Sequence, residues 1–345
     1  MRHGAFAFLH PEAALGREKD MSSQTTLVEA VGNAQLTDFR EAAQRIRADI
    51  IHSPLIPFAG GPKTIRIKAE CLQPLGSFKI RPAANVLQTV GPTLAGRGVA
   101  TASAGNFAQG LALAAQRRGV GLTVHAPETA ARVKLASIRA LGATIVMHPF
   151  AEWWSIMSAR KTGAADGVFI HPFCEPGVIL GNGTIGLELA EEWPDLDTVV
   201  IPFGGGGLSS GIALALRALG RRARIIACEV ESSTPLAAAF AANAPVRVER
   251  RPSFVDGIGS NGVLDEMWPL VRELIDDVIV VPLQEVKSAV RVLALRHRLI
   301  AEGAGGVALA ASLSPQCKGT NVVAVISGGN IDPDTLCPML TASDE

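Results

Sequence analysis

From residue 98 onward, short runs rich in Val, Ile and Thr (98–102, 121–125, 143–147, 167–170, 197–202, 223–229, 277–281 and 321–326) alternate with longer segments rich in Ala, Leu, Arg and Glu. Strand and helix in turn is the pattern of a parallel sheet with helical crossovers. The helical segments also close as helices do. Gly119 follows Gln116-Arg117-Arg118, Gly142 follows Arg139-Ala140-Leu141, and Gly220 follows Arg217-Ala218-Leu219. A basic last turn followed by Gly is the usual C-terminal pattern. Upstream, Ile65-Arg66-Ile67-Lys68-Ala69 alternates as a strand does, and Asp38 with Glu41 reads as the capped start of a helix running to Ala48. With 345 residues and roughly 100–200 per domain, two α/β lobes fit this many units better than one sheet. Residues 241–262 read as an irregular loop. Residues 1–34, with Met21 as an alternative start, read as a poorly ordered leader.

Charge and composition exclude several classes. The 32 basic and 32 acidic residues balance, which argues against a nucleic-acid or anionic-membrane partner. No apolar run reaches the ~18 residues that span a bilayer, and the N-terminal residues lack a basic n-region followed by a clean apolar stretch and a small-residue cleavage site, so an unexported chain is expected. Five cysteines form no CxxC pair, so a disulfide framework is not expected and a reducing cytoplasm suits the chain. Seven scattered histidines make no HxxEH, and no metal site is expected. Tyr is absent, which removes phenol chemistry, and eight Lys against 24 Arg make each lysine a notable choice.

Four segments carry candidate chemistry. In Gly76-Ser77-Phe78-Lys79-Ile80-Arg81 a lysine sits beside aromatic and apolar neighbours, an environment that penalises the ammonium and so frees a nucleophilic amine. A surface lysine in a polar loop is the plain alternative. Ser103-Ala104-Gly105-Asn106-Phe107 follows a strand and opens a helix, where free backbone N–H groups and the positive dipole end suit a carboxylate. An ordinary capped turn would look the same. Phe203-Gly204-Gly205-Gly206-Gly207-Leu208 lies between strand and helix and can fold tightly around a phosphate. It lacks the Lys-Ser/Thr ending of a P-loop NTPase. A dinucleotide site stays open here, because Glu229 stands about 20 residues on, although Gly204-x-Gly206-x-x-Ser209 is one glycine short. Glu302-Gly303-Ala304-Gly305-Gly306 and Ser327-Gly328-Gly329-Asn330 are each turn-like on their own.

Their order is the stronger signal. Lysine after Gly-Ser-Phe, then Ser-Ala-Gly-Asn, the tetraglycine, Glu-Gly-Ala-Gly and Ser-Gly-Gly-Asn resembles the fold-type II pyridoxal-phosphate (PLP) enzymes, most of all their threonine/serine dehydratase and serine racemase group. The resemblance runs from Asp38 to Asp332. It implies a two-domain, tryptophan synthase β-like fold, with a large PLP-binding domain over 35–96 and 175–340 and a small domain over 97–174. It also implies that Lys79 forms a Schiff base with PLP, that Phe78 packs on the ring and that Asn106 contacts the 3′-oxygen. Gly204, Gly205, Gly206, Gly207 and Leu208 would hold the phosphate, and Ser327 the pyridine nitrogen. Ser103, Ala104 and Gly105 would receive the substrate carboxylate, with Phe107 and Glu302 on the substrate side.

The chain departs from the family pattern at Leu75 (usually Thr), at Pro82 (usually Gly) and at Phe107 (usually His). The cation site of some members begins at a residue matching Glu229, but Ser233 and Pro235 stand at its later positions, which argues against activation by a divalent ion. The implied activity is dehydration of a β-hydroxy-α-amino acid, L-threonine or L-serine by default, to a 2-oxo acid and ammonia. Phe107 points toward a bulkier 3-hydroxy amino acid as the alternative. A neutral Ser327 opposite the ring nitrogen favours prompt elimination, and the methyl of Ala104 cannot carry the second proton that racemisation needs. A racemase or β-replacement synthase of the same fold remains open, as does an NAD-binding module from a different class. The resemblance further implies a homodimer, and the short segment after Asp332 implies no effector domain.

Overall fold

A computed structural model describes residues 26–60, 63–94, 96–130, 132–160 and 167–341. Among the described residues ten strands form two sheets. The larger contains β1 (Leu55–Phe58), β2 (Thr64–Lys68), β7 (Thr198–Pro202), β8 (Arg224–Val230), β9 (Asp277–Val281) and β10 (Asn321–Val325), in the order β1-β2-β10-β7-β8-β9. The smaller contains β3 (Val99–Ala102), β4 (Leu122–Pro127), β5 (Thr144–His148) and β6 (Val168–Phe169), in the order β5-β4-β3-β6. Every pairing is parallel except β1 with β2. The expected α/β class with parallel-sheet lobes is therefore the observed one. All eight runs read from residue 98 onward are strands, and the Ile65 alternation is β2. The unexpected β1 carries Pro57, which an edge strand tolerates because its outer N–H has no partner to lose.

Helices cover the sheets: α1 (Leu27–Val31), α2 (Leu36–Ile46), α3 (Ile80–Val90), α4 (Asn106–Arg118), α5 (Arg132–Ala140), α6 (Phe150–Ala159), α7 (Pro176–Glu192), α8 (Gly207–Ala218), α9 (Pro235–Ala242), α10 (Trp268–Leu274), α11 (Leu283–His297), α12 (Gly303–Leu313) and α13 (Pro333–Thr341). Alternate residues of β7 point into different cores. Val199 and Ile201 join one apolar cluster and Val200 the other, so both faces of the large sheet are buried. A third cluster under the smaller sheet includes Val99, Val124, Leu111 and Phe107.

Two expectations need correction. Residues 1–25 of the expected leader lie outside the described residues, but Thr26 onward is ordered, because Thr26 and Glu29 form a reciprocal capping box that starts α1. Asp38 does not open α2. It sits in the first turn and its carboxylate accepts the Gln35 N–H at 2.7 Å, so the cap lies three residues earlier than expected.

Candidate active site

The C-terminal ends of β3, β7 and β10 meet around one cavity of about 520 Å³, and every residue singled out for cofactor or substrate lines it. That is the end of an α/β sheet where ligands are expected to sit.

Lys79 immediately precedes α3. The turn before it is left-handed at Leu75 (φ 60°) and Gly76 (φ 69°), a conformation that costs Leu far more than Gly. The turn is tied down. Asn330 Nδ2 donates to the Leu75 carbonyl at 2.7 Å, and the Phe78 N–H donates to the Ser327 carbonyl at 3.0 Å. Helix α4 approaches so closely that a Cβ on Gly110 would lie 2.9 Å from the Lys79 carbonyl oxygen. The Lys79 amine stands 4.8 Å from the Phe78 ring centre and 5.8 Å from that of Phe107. Burial against these rings pulls its pKa down to about 8, with the charge of Glu302 opposing.

Glu302 precedes α12 and is buried. Its Oε1 accepts from Asn106 Nδ2 at 2.8 Å, and Asn106 Oδ1 accepts in turn from Asn330 Nδ2 at 2.9 Å. Its Oε2 has no hydrogen-bond partner. Burial and the nearby Asp256 push this carboxyl up to about 7, while Lys134, Asn106 and Lys79 pull the other way. Gly328 is required beside it, since a Cβ there would stand 2.5 Å from Oε1.

The tetraglycine joins β7 to α8. Gly206 has φ 88°, and a Cβ on Gly205 would fall 2.4 Å from the Phe173 ring. Only glycine lets the backbone lie this close to Phe173, and this loop and the start of α8 line the cavity. Such a terminus is a ready anion site. The Leu208 side chain is buried in the core, so any contribution from it to an anion comes from its backbone. Phe107 is only 2% exposed and packs chiefly in the small-sheet core.

Behind the cavity, fully buried Arg81 forms two bidentate pairs. It donates to both Glu70 oxygens at 2.8 Å and to Glu188 at 2.6 and 2.8 Å. Buried Lys68 pairs with Glu188 at 2.8 Å and Glu192 at 2.6 Å.

Glu229 is not part of the cavity lining. Its two oxygens accept from the Leu236 and Ala237 N–H groups at 2.8 and 2.9 Å, so it caps α9 and is not placed to receive a ribose. His171, Cys174 and Glu266 bring donor atoms within 4.8 Å of one another. However, His171 Nδ1 accepts from the Phe173 and Cys174 N–H groups and Arg160 is paired with Glu266 at 2.7 Å, so two of its donors are already engaged within the protein, while His171 Nε2 is buried without a partner. Burial and nearby cations pull His171 down to about 3 and hold it neutral.

A sheltered amine, a tetraglycine backbone packed too tightly on Phe173 for side chains at Gly205 and Gly207, and Ser327 in the same lining fit pyridoxal phosphate. Sequence reasoning missed the wall opposite: Phe150, Trp153, Trp154 and Met157 of α6 also line the cavity. Their i, i+3, i+4, i+7 spacing was available as a signal.

Comparison with known proteins agrees with this arrangement. A family model described as pyridoxal-phosphate dependent enzyme matches residues 46–328. The chain is 39% identical over 309 residues to an L-threonine ammonia-lyase of Thermotoga maritima, covering 86% of this chain and 76% of that one. It is 33% identical over 312 residues to a serine racemase of Oryza sativa subsp. indica, covering 87% and 91%. Among solved structures, maize serine racemase superposes with a TM-score of 0.81 at 33% identity, covering 88% of this chain and 96% of that one. Threonine deaminase isoform 2 from Solanum lycopersicum gives 0.79 at 30% identity, covering 89% and 94%.

Proposed function

The chain belongs to the pyridoxal-phosphate dependent enzymes, and we propose that it is an ammonia-lyase converting a β-hydroxy-α-amino acid, such as L-threonine or L-serine, to a 2-oxo acid and ammonia. The observation that carries this reading is the meeting, in one cavity, of the low-pKa Lys79 amine, the Gly204–Gly207 cradle and the N-terminus of α4.

In this reading Lys79 holds the cofactor through its amine, Phe78 packs beside it, and the tetraglycine backbone binds its phosphate. Ser327 offers a neutral hydroxyl to the pyridine nitrogen, and Asn106 reaches the ring's oxygen. Bound there, the cofactor supplies an electron sink for the pair left behind when the substrate α-proton departs. The chain does the rest. Ser103, Ala104 and Gly105, at the start of α4, take the substrate carboxylate on free N–H groups and the helix dipole. The Lys79 amine would take the α-proton, since an amine near 8 is a competent base at neutral pH. Glu302 lines the same cavity and, with a pKa of about 7, can hold a proton there. Ala104 offers no proton to the opposite face of the α-carbon, which favours the lyase over a racemase.

The substrate partner is a small amino acid. Free cysteines support a reducing cytoplasm, and the family resemblance supports a homodimer. Among the described residues no helix is long and apolar enough to cross a membrane.

The test is direct. Purified protein should absorb near the visible edge, lose that band on borohydride reduction, and then carry the cofactor's mass on the peptide containing Lys79. It should release 2-oxo acid from threonine or serine. Absence of the Lys79 adduct, or of any 2-oxo acid, would sink the reading.

A further inference from the structure

Helix α6 packs on the smaller sheet and carries its apolar stripe along the cavity wall, with Met157 buried, Trp153 and Trp154 half-buried and Phe150 exposed. Phe150, Trp153, Trp154 and Met157 fall on one face at i, i+3, i+4 and i+7. All four line the space that contains Lys79, and Phe150 remains 50% exposed. Two of the chain's four tryptophans are spent here. The rings form a continuous run, with centroids 5.6 Å apart from Phe150 to Trp153 and 6.2 Å from Trp153 to Trp154. Trp153 Nε1 donates to the His125 carbonyl at 3.1 Å, so its polar edge is satisfied on β4. Apolar surface of this extent left against water is unfavourable, and an apolar group of a ligand would relieve it.

We propose that the α6 stripe receives the substrate's β-substituent, and that the preferred substrate is a 3-hydroxy amino acid bearing an aryl or extended alkyl group on its β-carbon. This rests on the ammonia-lyase reading above. In the overall reaction the α-C–H and β-C–O bonds break and the hydroxyl leaves as water. Hydrolysis of the resulting enamine returns that water and releases ammonia, so 3-phenylserine yields phenylpyruvate. Trp154 and Phe150 are thus specificity residues, while Phe107, mostly enclosed in the core, presents a smaller part of itself.

The experiment compares kcat/KM of the holoenzyme for L-serine, L-threonine and L-3-phenylserine in wild type, Trp154→Ala and Phe150→Ala. Alongside it, the cofactor spectrum is titrated with L-phenylalanine and L-alanine, which lack the β-hydroxyl. A ten- to hundredfold preference for 3-phenylserine over threonine is expected, equivalent to about 1.4–2.8 kcal/mol. Trp154→Ala should cut it at least tenfold, and L-phenylalanine should bind wild type at least tenfold more tightly than L-alanine. Turnover of threonine with no such preference, and equal affinity for the two titrants, overturns the inference and leaves the lyase reading standing. No 2-oxo acid from any of the three substrates overturns the lyase reading instead, and the wild-type titration then still decides the fate of the wall, whether or not the variants fold.

Discussion

Arg81→Met is expected to be among the most damaging single substitutions in the chain, although the side chain touches neither cofactor nor substrate in the proposed site. The guanidinium is fully buried and shared by Glu70 and Glu188. Its loss falls unequally on the two carboxylates. Glu188 keeps Lys68 at 2.8 Å, but Glu70, itself fully buried, keeps only the Ser53 hydroxyl at 2.5 Å. Removing one partner of a buried pair costs about 3–5 kcal/mol, because the other charge is left without compensation. At about 2.1 cal/mol/K of unfolding entropy per residue, 345 residues give roughly 0.7 kcal/mol/K, so the apoenzyme's melting temperature should fall by about 4–7 °C. Glu70→Gln added to Arg81→Met should recover at least half of that loss, since the stranded charge is then gone. Arg81 also lies two residues from Lys79, so cofactor absorbance should weaken along with stability. Melting curves of the wild type and the single and double variants test the argument. A single variant within about 1 kcal/mol of wild type, or a double variant no more stable than the single, would refute it.

Gly205→Ala would force a Cβ to within 2.4 Å of the Phe173 ring, so the loop or the ring must shift. We expect a folded protein whose cofactor dissociates at least tenfold more readily, read from absorbance after dialysis, and an unchanged affinity would contradict the cradle. Burial pushes Glu229 from its ordinary 4.5 up to about 7, against the two backbone N–H groups that pull it down. The folded chain therefore keeps that proton where the unfolded chain has lost it, so stability should fall as pH rises from 4.5 to about 7. Glu229→Gln should flatten part of that slope, and identical melting-temperature profiles for the two proteins would refute the assignment.

The large-scale architecture was legible because a parallel sheet buried on both faces must write each strand as a short apolar run. The elements that escaped detection have local reasons. Strand β1 is four residues long and interrupted by Pro57, so it carries almost no period. The start of α2 was displaced because Asp38 acts from the first turn and not from the cap, and both arrangements place an acid near a helix start. Lys79, the tetraglycine and Ser327 could be picked out by type and order, yet their meeting depends on strand order, which no local pattern encodes. Phe107 was weighed as a specificity residue because its identity departs from the family, but most of its ring is enclosed by core. The stripe on α6 has the period of an ordinary amphipathic helix. Nothing in that period says whether it faces core or cavity.

The pairing of β2 with β10 has a consequence for how the protein is born. On a ribosome, β2 (Thr64–Lys68) stays without that neighbour until Asn321–Val325 has emerged, and the turn carrying Lys79 waits with it. Asn330 reaches Leu75 across 255 residues, and Ser327 holds Phe78 across a comparable span. Contacts so distant along the chain close slowly. A growing polypeptide stopped before Asn321 can collapse around much of its apolar core, but it cannot clamp the lysine turn, so capacity to retain cofactor should arrive abruptly once Ser327 and Asn330 have emerged.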